Sequence, residues 1–384
     1  MSEFLELLET LKAEEANSRR LFGGTGTSIP HRGTPAYQHE LVEAAELVAD
    51  VYSGRKATRV LQEAMSTADF PLLFGDILDR QLLGVYQEWP SIWPMITRRE
   101  TVRDFRTVSR FATDGAEAVL AEVPQGSEYP EAAMSETRYQ YAVKKYGRRV
   151  PFFWEVFIND DLDGLRSTPE RIAKAARMSE EKFATDLYAN ATGPDATFFA
   201  AGNNNIVTGN PALSVAGLQT AFGVLWAQVD KDGNPIFTGT VRLVVPPGLA
   251  VTARNIINAT EIRVAAGSGS ATTDQLITKN WVAGEVQLVV NPWLPVVETS
   301  NRNSWYLFAD PGVGRPAVAV GFLRGNEAPA LFVKSSNAMR IGGGGLTGAE
   351  DGDFDTDGIA YKVRHCFGGV LMEPRAAVAS TVAG

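Results

Sequence analysis

The chain has 384 residues, with 36 Lys and Arg against 45 Asp and Glu, a formal net charge of -9, one Cys and three His. That length supplies ample core for two or three domains and excludes a small scaffold stapled by disulfides or metal. Charged residues at 21 % beside 45 % hydrophobic residues exclude a chain disordered throughout. A lone Cys366 and three His leave almost no material for a disulfide or a zinc site, which is the expectation for a reducing intracellular compartment. The acidic balance also argues against a whole surface that grips nucleic acid, because that grip needs Lys and Arg to neutralise phosphates.

The first twenty residues, MSEFLELLETLKAEEANSRR, are acidic where an export signal is basic, so no export signal is read. The most apolar stretches, Val241 to Val251 and Val286 to Val297, are broken by Pro246, Pro247, Pro292 and Pro295. Both fall short of the roughly 18 apolar residues of a spanning helix, so a soluble protein without membrane contact is expected. Phe4, Leu7, Leu8 and Leu11 stand at helical spacing in residues 4 to 15. A Gly-containing polar connector leads to a second helical stripe of Leu41, Ala45, Val48 and Tyr52, and a third helix is expected over Lys56 to Met65. This leader has apolar stripes without enough sequence for a core, which predicts that another chain holds it.

Thr101 to Phe111 reads as an imperfect strand. Turn chemistry at Pro124-Gln125-Gly126 and Tyr129-Pro130 separates two strand-like segments, Glu117 to Val123 and Glu136 to Val150. An isolated hairpin is marginal in water, so this long polar arm is expected to lie on a neighbouring surface. Ser167, Thr168, Pro169 and Glu170 form a helix start signal for residues 168 to 191. Its apolar face is Ile172, Ala176, Phe183 and Leu187, with Glu170, Lys174, Glu181 and Asp186 facing away, a rod of roughly 35 Å at about 1.5 Å per residue. From Leu213 to Gly312 an amphipathic segment precedes the apolar strands VRLVVPP and VQLVVNPWLP around a Gly-Ser loop from Ala266 to Thr273, and WYLFADP closes the unit. This is an inserted α+β unit. Strands return at Ala317 to Leu323, Ala330 to Ser335 and Gly358 to Met372.

No constellation for catalysis stands out. Gly343-Gly344-Gly345-Leu346-Thr347-Gly348 matches a dinucleotide fingerprint by spacing, yet AEDGDFDTDG follows it where a helix N-terminus must receive the phosphates. Asp353, Asp355 and Asp357 with Gly358 reproduce the first half of a calcium loop, and Arg364 occupies the twelfth position where a bidentate Glu is required. They are read as a weak metal candidate against a solvated acidic turn. His365 and Cys366 are neighbours on a strand and point to opposite faces. There is no GxSxG, so no catalytic residue and no cofactor is assigned. The basic clusters, Arg98 to Arg110 and Arg138, Lys144, Lys145, Arg148 and Arg149, are interleaved with apolar or acidic residues. That favours a solvated or subunit-pairing face over a phosphate track.

The order of parts resembles the major capsid proteins of tailed double-stranded DNA bacteriophages, the Hong Kong phage type of capsid fold in its Mu-like head-subunit branch. The residues that carry the likeness are Gly126-Ser127-Glu128-Tyr129-Pro130-Glu131, Lys144-Lys145-Tyr146-Gly147-Arg148-Arg149 leading into Phe152-Phe153-Trp154-Glu155, and Ile158-Asn159-Asp160-Asp161. The closing segments Tyr361 to Gly369 and Glu373-Pro374-Arg375-Ala376 also fit. The likeness runs from about residue 70 to the end. It implies an α+β capsid fold with an N-terminal arm over 1–84, the start of a peripheral domain over 85–111, an extended loop over 112–150 and peripheral domain over 151–212 with its spine helix at 168–191. An axial domain over 213–312, peripheral strands over 313–373 and a return to the axial domain over 374–384 complete it. Inter-subunit contacts are then expected at Gly126, Tyr129, Glu131, Lys144, Lys145, Arg148, Arg149, Gly267, Ser268 and Gly269. The implied function is an icosahedral shell around phage DNA, built from hexamers and pentamers in the bacterial host cytoplasm. Implied partners are a scaffolding protein, a portal, a decoration protein and packaged DNA held without sequence-specific binding. Rival readings are an encapsulin-type protein compartment and a soluble α+β enzyme.

Overall fold

The computed structural model describes residues 9–12, 35–53, 55–56, 60, 64, 70–114, 123, 125, 135–153, 162–230, 233–236, 238–265, 275–312, 314–334 and 358–382. In chain order the longer helices are α1 (Pro35–Tyr52), α2 (Phe70–Glu88), α3 (Leu162–Tyr188), α4 (Val215–Trp226) and α5 (Ala250–Asn258). The strands begin with β1 (Arg98–Val102), β2 (Val108–Asp114), β3 (Ser135–Tyr141), β4 (Lys144–Phe153) and β5 (Val241–Val245). They continue with β6 (Glu261–Ala265), β7 (Gln275–Lys279), β8 (Val286–Val290), β9 (Trp305–Phe308) and β10 (Val318–Leu323). Last come β11 (Ala330–Val333), β12 (Gly358–Leu371) and β13 (Ala377–Ser380).

The chain divides into two compact units. The first comprises Met1–Pro90, Lys145–Arg177 and Ala328–Cys366, and the second comprises Ser91–Lys144, Met178–Glu327 and Phe367–Gly384. In the first unit, the α1 stripe of Leu41, Ala45 and Val48 is buried against Leu73, Ile77 and Leu78 of α2, with Leu11 and Tyr361 closing the cluster. The stripe assigned in the sequence to another chain is therefore covered within the unit. Its partner is α2, a helix that the sequence reading did not identify. Leu82 and Tyr86 of α2 make a second cluster with Ile172, Ala173 and Ala176 of α3. The carboxylate of Asp79 accepts the backbone N–H of Leu331 at 3.1 Å, tying α2 to β11. β11 pairs antiparallel with β12 from Ala330 opposite Arg364 to Val333 opposite Tyr361, and β4 pairs with β12 as well.

The second unit is built on a four-stranded sheet of order β8-β5-β9-β13. Each of these strands is apolar at consecutive positions because both faces are covered. On β9, Tyr306 and Phe308 join Val244, Val289, Tyr188 and Phe199 on one face. Trp305 and Leu307 join Leu243, Phe222 and Leu225 on the other, the alternation that period two requires. β1 runs parallel to β10, which pairs antiparallel with β12 from Val318 opposite Leu371 to Phe322 opposite Phe367. Two ribbons complete the unit, β2 with β3 and β6 with β7.

Several elements differ from their sequence expectations. The strand expected over Thr101–Phe111 is broken, because the Asp104 carboxylate accepts the Arg106 N–H at 3.1 Å and turns the chain between β1 and β2. The segment Glu136–Val150 is two strands, β3 and β4, and the partner of β3 is β2. The segment 117–122 lies outside the described residues. α3 starts at Leu162, ahead of the expected start at Thr168, and runs through Pro169 at the cost of that residue's internal hydrogen bond. It ends at Tyr188, where residues 189–190 turn back on 193–194 through Gly193 at φ 122°. Glu181, expected to face solvent, is buried. Its carboxylate accepts the backbone N–H of Ile92 at 2.6 Å and the Ser91 hydroxyl at 2.9 Å, while the neighbouring Glu180 accepts the Trp93 indole N–H at 3.0 Å.

Glu298 is fully buried in the second unit and accepts the Tyr306 hydroxyl. Tyr188 stands beside them, its ring 5.2 Å from that of Tyr306, and its hydroxyl accepts from Asn291 at 2.8 Å. Burial pushes the Glu298 carboxyl up to about 7 against the opposing hydrogen bonds of Tyr306 and Ser304. A carboxyl raised in this way contributes stability that is complete below its ordinary value of 4.5 and is lost as pH climbs through about 7. Thermal unfolding at a series of pH values should therefore show stability declining between those values, and Glu298→Gln should flatten the decline. An unchanged slope in the variant would place the pH dependence elsewhere.

Candidate assembly surfaces

The β2–β3 ribbon is fixed at its root. Glu100, on β1, accepts the Tyr141 hydroxyl at 2.8 Å and the Arg110 Nε–H at 2.7 Å, gathering β1, β2 and β3 on one carboxylate. That carboxylate is 13 % exposed, so the Arg110 pair is sheltered compared with an ordinary surface ion pair. Burial, then the hydrogen bond to Glu100, pushes the Tyr141 hydroxyl up to about 12. The Tyr141 ring occupies the space where Gly321 has no side chain: a Cβ there would stand 2.5 Å from its hydroxyl oxygen. At Gly368 a Cβ would meet the Ala142 carbonyl at 2.4 Å. Farther along, Arg138 donates to Ser109 across the ribbon at 2.9 Å, while Phe105 and Phe111 stay more than half exposed. Among the described residues, no third strand joins this ribbon.

In the first unit, β4 exposes Lys145, Arg148 and Arg149. They line a groove of about 400 Å³ with Tyr146, Gly147, Lys362, Val363 and Arg364. No acid is among these residues. β4 can lie this close to β12 because Gly147 lacks a Cβ, which would meet the Val363 carbonyl at 2.5 Å. Lys362 and Arg364, alternate residues of β12, project to one side and both stand over the Phe332 ring, at 5.1 and 4.5 Å. Lys144 is exposed and lies outside the groove lining. The sequence reading found the β4 cations and missed Lys362 and Arg364, because their alternation in β12 looks like any strand with one wet face.

The remaining sequence candidates, Gly126, Tyr129, Glu131, Gly267, Ser268, Gly269, Asp353, Asp355 and Asp357, lie outside the described residues. In the second unit, Ile277 of β7 and Val251 of α5 are 55 and 67 % exposed. A larger groove in the second unit, about 930 Å³, is lined by Asn203, Asn204, Asn210, Gln228, Asp230 and Arg375 among others. Among the described residues there is no group of three or more His, Cys, Asp or Glu placed to hold a metal, and no helix long and apolar enough to cross a membrane.

The chain belongs to the phage capsid protein family, whose profile matches residues 136–380. It is a mixed α+β capsid shell protein, a non-enzymatic component of the virion capsid whose copies assemble into the oligomeric shell. No curated protein matches it. Solved structures with similarity to this chain include that of Gordonia phage Cozz, 14 % identical at a TM-score of 0.44, covering 78 % of this chain and 90 % of the other. The capsid of cyanophage P-SCSP1u is 12 % identical at 0.43, covering 76 and 87 %. The SrpI encapsulin of Synechococcus elongatus is 14 % identical at 0.42, covering 76 and 88 %.

The close approach at the ribbon root sets a stability test. Gly368→Ala must displace a backbone carbonyl and should cost about 1–3 kcal/mol. Gly223→Ala, inside α4 with nothing within 4 Å, should be neutral or stabilising by up to about 1 kcal/mol. Denaturant unfolding of both variants checks the contrast, and equal effects would contradict the packing described.

Proposed function

We propose that this chain is the major head protein of a tailed phage, closing an icosahedral shell of hexamers and pentamers around double-stranded DNA that it holds without sequence-specific contacts. Residues 1–84 act as its N-terminal arm and 112–150 as the extended loop over an adjacent copy. The spine helix within 168–191 belongs to the peripheral domain of 85–111, 151–212 and 313–373, while 213–312 with 374–384 forms the axial domain. A scaffolding protein and a portal take part in assembly, which proceeds in the bacterial host cytoplasm, and a decoration protein binds the finished shell. The observation that supports this reading best is the β2–β3 ribbon. A two-stranded ribbon gains little stability alone, yet its root is held by Glu100, Tyr141 and Arg110. Such an element gives its energy to a surface outside its own sheet. The loop tip at Gly126, Tyr129 and Glu131 and the Gly-Ser loop at Gly267, Ser268 and Gly269 are assigned to contacts between copies, as are Lys144, Lys145, Arg148 and Arg149.

Expression of the full chain, alone and with deletion of residues 126–131, tests this by electron microscopy and sedimentation. The intact chain should give closed particles, whereas the deletion should give a soluble subunit with the unfolding profile of the intact chain and no particles. Normal particles from the deletion would refute the loop assignment. Nuclease-protected DNA in particles from infected cells distinguishes a phage head from a compartment filled with protein cargo.

A further inference from the structure

The basic groove between β4 and β12 has a complement in the same sequence. Five cations, Lys145, Arg148, Arg149, Lys362 and Arg364, line it without a single acid, in a chain whose net charge is -9. Among the described residues, Lys145, Arg148, Arg149 and Lys362 make no ion pair. An acidic group entering this groove would meet these cations with no acid of the lining competing for them. Residues 350–357, EDGDFDTD, hold Glu350, Asp351, Asp353, Asp355 and Asp357 with no Lys or Arg. No other eight-residue stretch of this chain holds five acids.

We infer that the groove receives the acidic tract 350–357 of a second copy of this chain, so that the half calcium loop serves as an anionic plug instead of a metal site. The inference rests on the reading that copies close into a shell, and names a contact by which they recognise each other. A second copy is favoured because a groove that is cationic throughout and a tract that is anionic throughout, carried on one chain, give each copy a donor and an acceptor surface. That is the requirement for a heterologous contact repeated around a ring. Duplex DNA is the lesser candidate, because the five cations are confined to one short groove.

The test uses two full-length variants, Arg148→Glu/Arg149→Glu in the groove and Asp353→Lys/Asp355→Lys in the tract. All four positions are tested with thermal unfolding as a control for folding. Each variant alone should give at least about tenfold fewer fast-sedimenting assemblies than the unmodified chain at low salt. A mixture of the two should recover them, since each then offers the other a complementary surface. Raising salt from about 0.1 to 1 M should weaken the mixture, as the screening length falls from about 10 to 3 Å. Unchanged assembly of either variant overturns the contact. Recovery when all four substitutions share one chain, but not on mixing, also overturns it, because the tract then seats in its own copy. Salt-sensitive duplex DNA binding lost only in the groove variant, with normal assembly of the tract variant, assigns the groove to DNA and overturns it too. If the unmodified chain forms no shells, the capsid reading fails separately. The mixture is then scored for a soluble complex, whose absence again overturns the contact.

Discussion

The architecture depends on how closely the chain after the β2–β3 ribbon passes over β12. In the second unit, the backbone around Ala142 lies where a side chain at 368 would stand, and Tyr141 fills the space left open at Gly321. In the first, Gly147 lets β4 approach the Val363 carbonyl. At Gly147 and Gly368 a backbone carbonyl stands where a Cβ would be, an approach that glycine alone allows. These positions fix the direction in which the ribbon leaves its root and the face that β4 presents.

The ribbon root shows how a polar cluster sustains such a geometry. Glu100 would be costly to bury alone, but its lone pairs meet the Tyr141 hydroxyl and the Arg110 guanidinium. Burial raises the Tyr141 hydroxyl, which keeps it a donor across the physiological range. Glu180 and Glu181 solve the same problem differently, with backbone and indole N–H groups from residues 91–93 as donors. Burial raises Glu181 while those donors hold it down. Satisfied acids can serve as structural fixings inside a unit, leaving unsatisfied charge for its surfaces.

Local patterns were legible wherever one element's own side chains decide its environment. The α1 stripe and the apolar strands around VRLVV and VQLVV could be read because the run or spacing of apolar residues is a local property. The helix α2 carried a signal that was passed over: Pro71 near its start and Leu73, Ile77, Leu78 and Leu82 on the buried side, diluted by Gly75 and Gly84. Glu181 could not be read, since its donors lie some ninety residues away and the local pattern gives every acid on an amphipathic helix to solvent. The parallel pairing of β1 with β10 and the meeting of Arg148 with Arg364 are long-range in the same sense. The family likeness followed from the order of segments, which no single contact determines.

Segregated charge has a physical consequence for a shell. An exposed ion pair contributes about 0–1 kcal/mol, because solvent screening and lost side-chain freedom offset most of the Coulomb term. One such pair could not hold two copies together, and a contact made of very strong pairs would trap every wrong encounter. Contacts that are individually weak can break and re-form until the copies are correctly placed, after which each copy is held by several neighbours at once and the weak terms combine as effective concentration rises. A groove that is cationic throughout adds selectivity, since two like grooves repel and only an anionic surface can approach. Within each unit apolar packing and hydrogen-bonded acids such as Glu181 and Asp79 hold the elements, while the cations of the β4–β12 groove are placed to select what they meet.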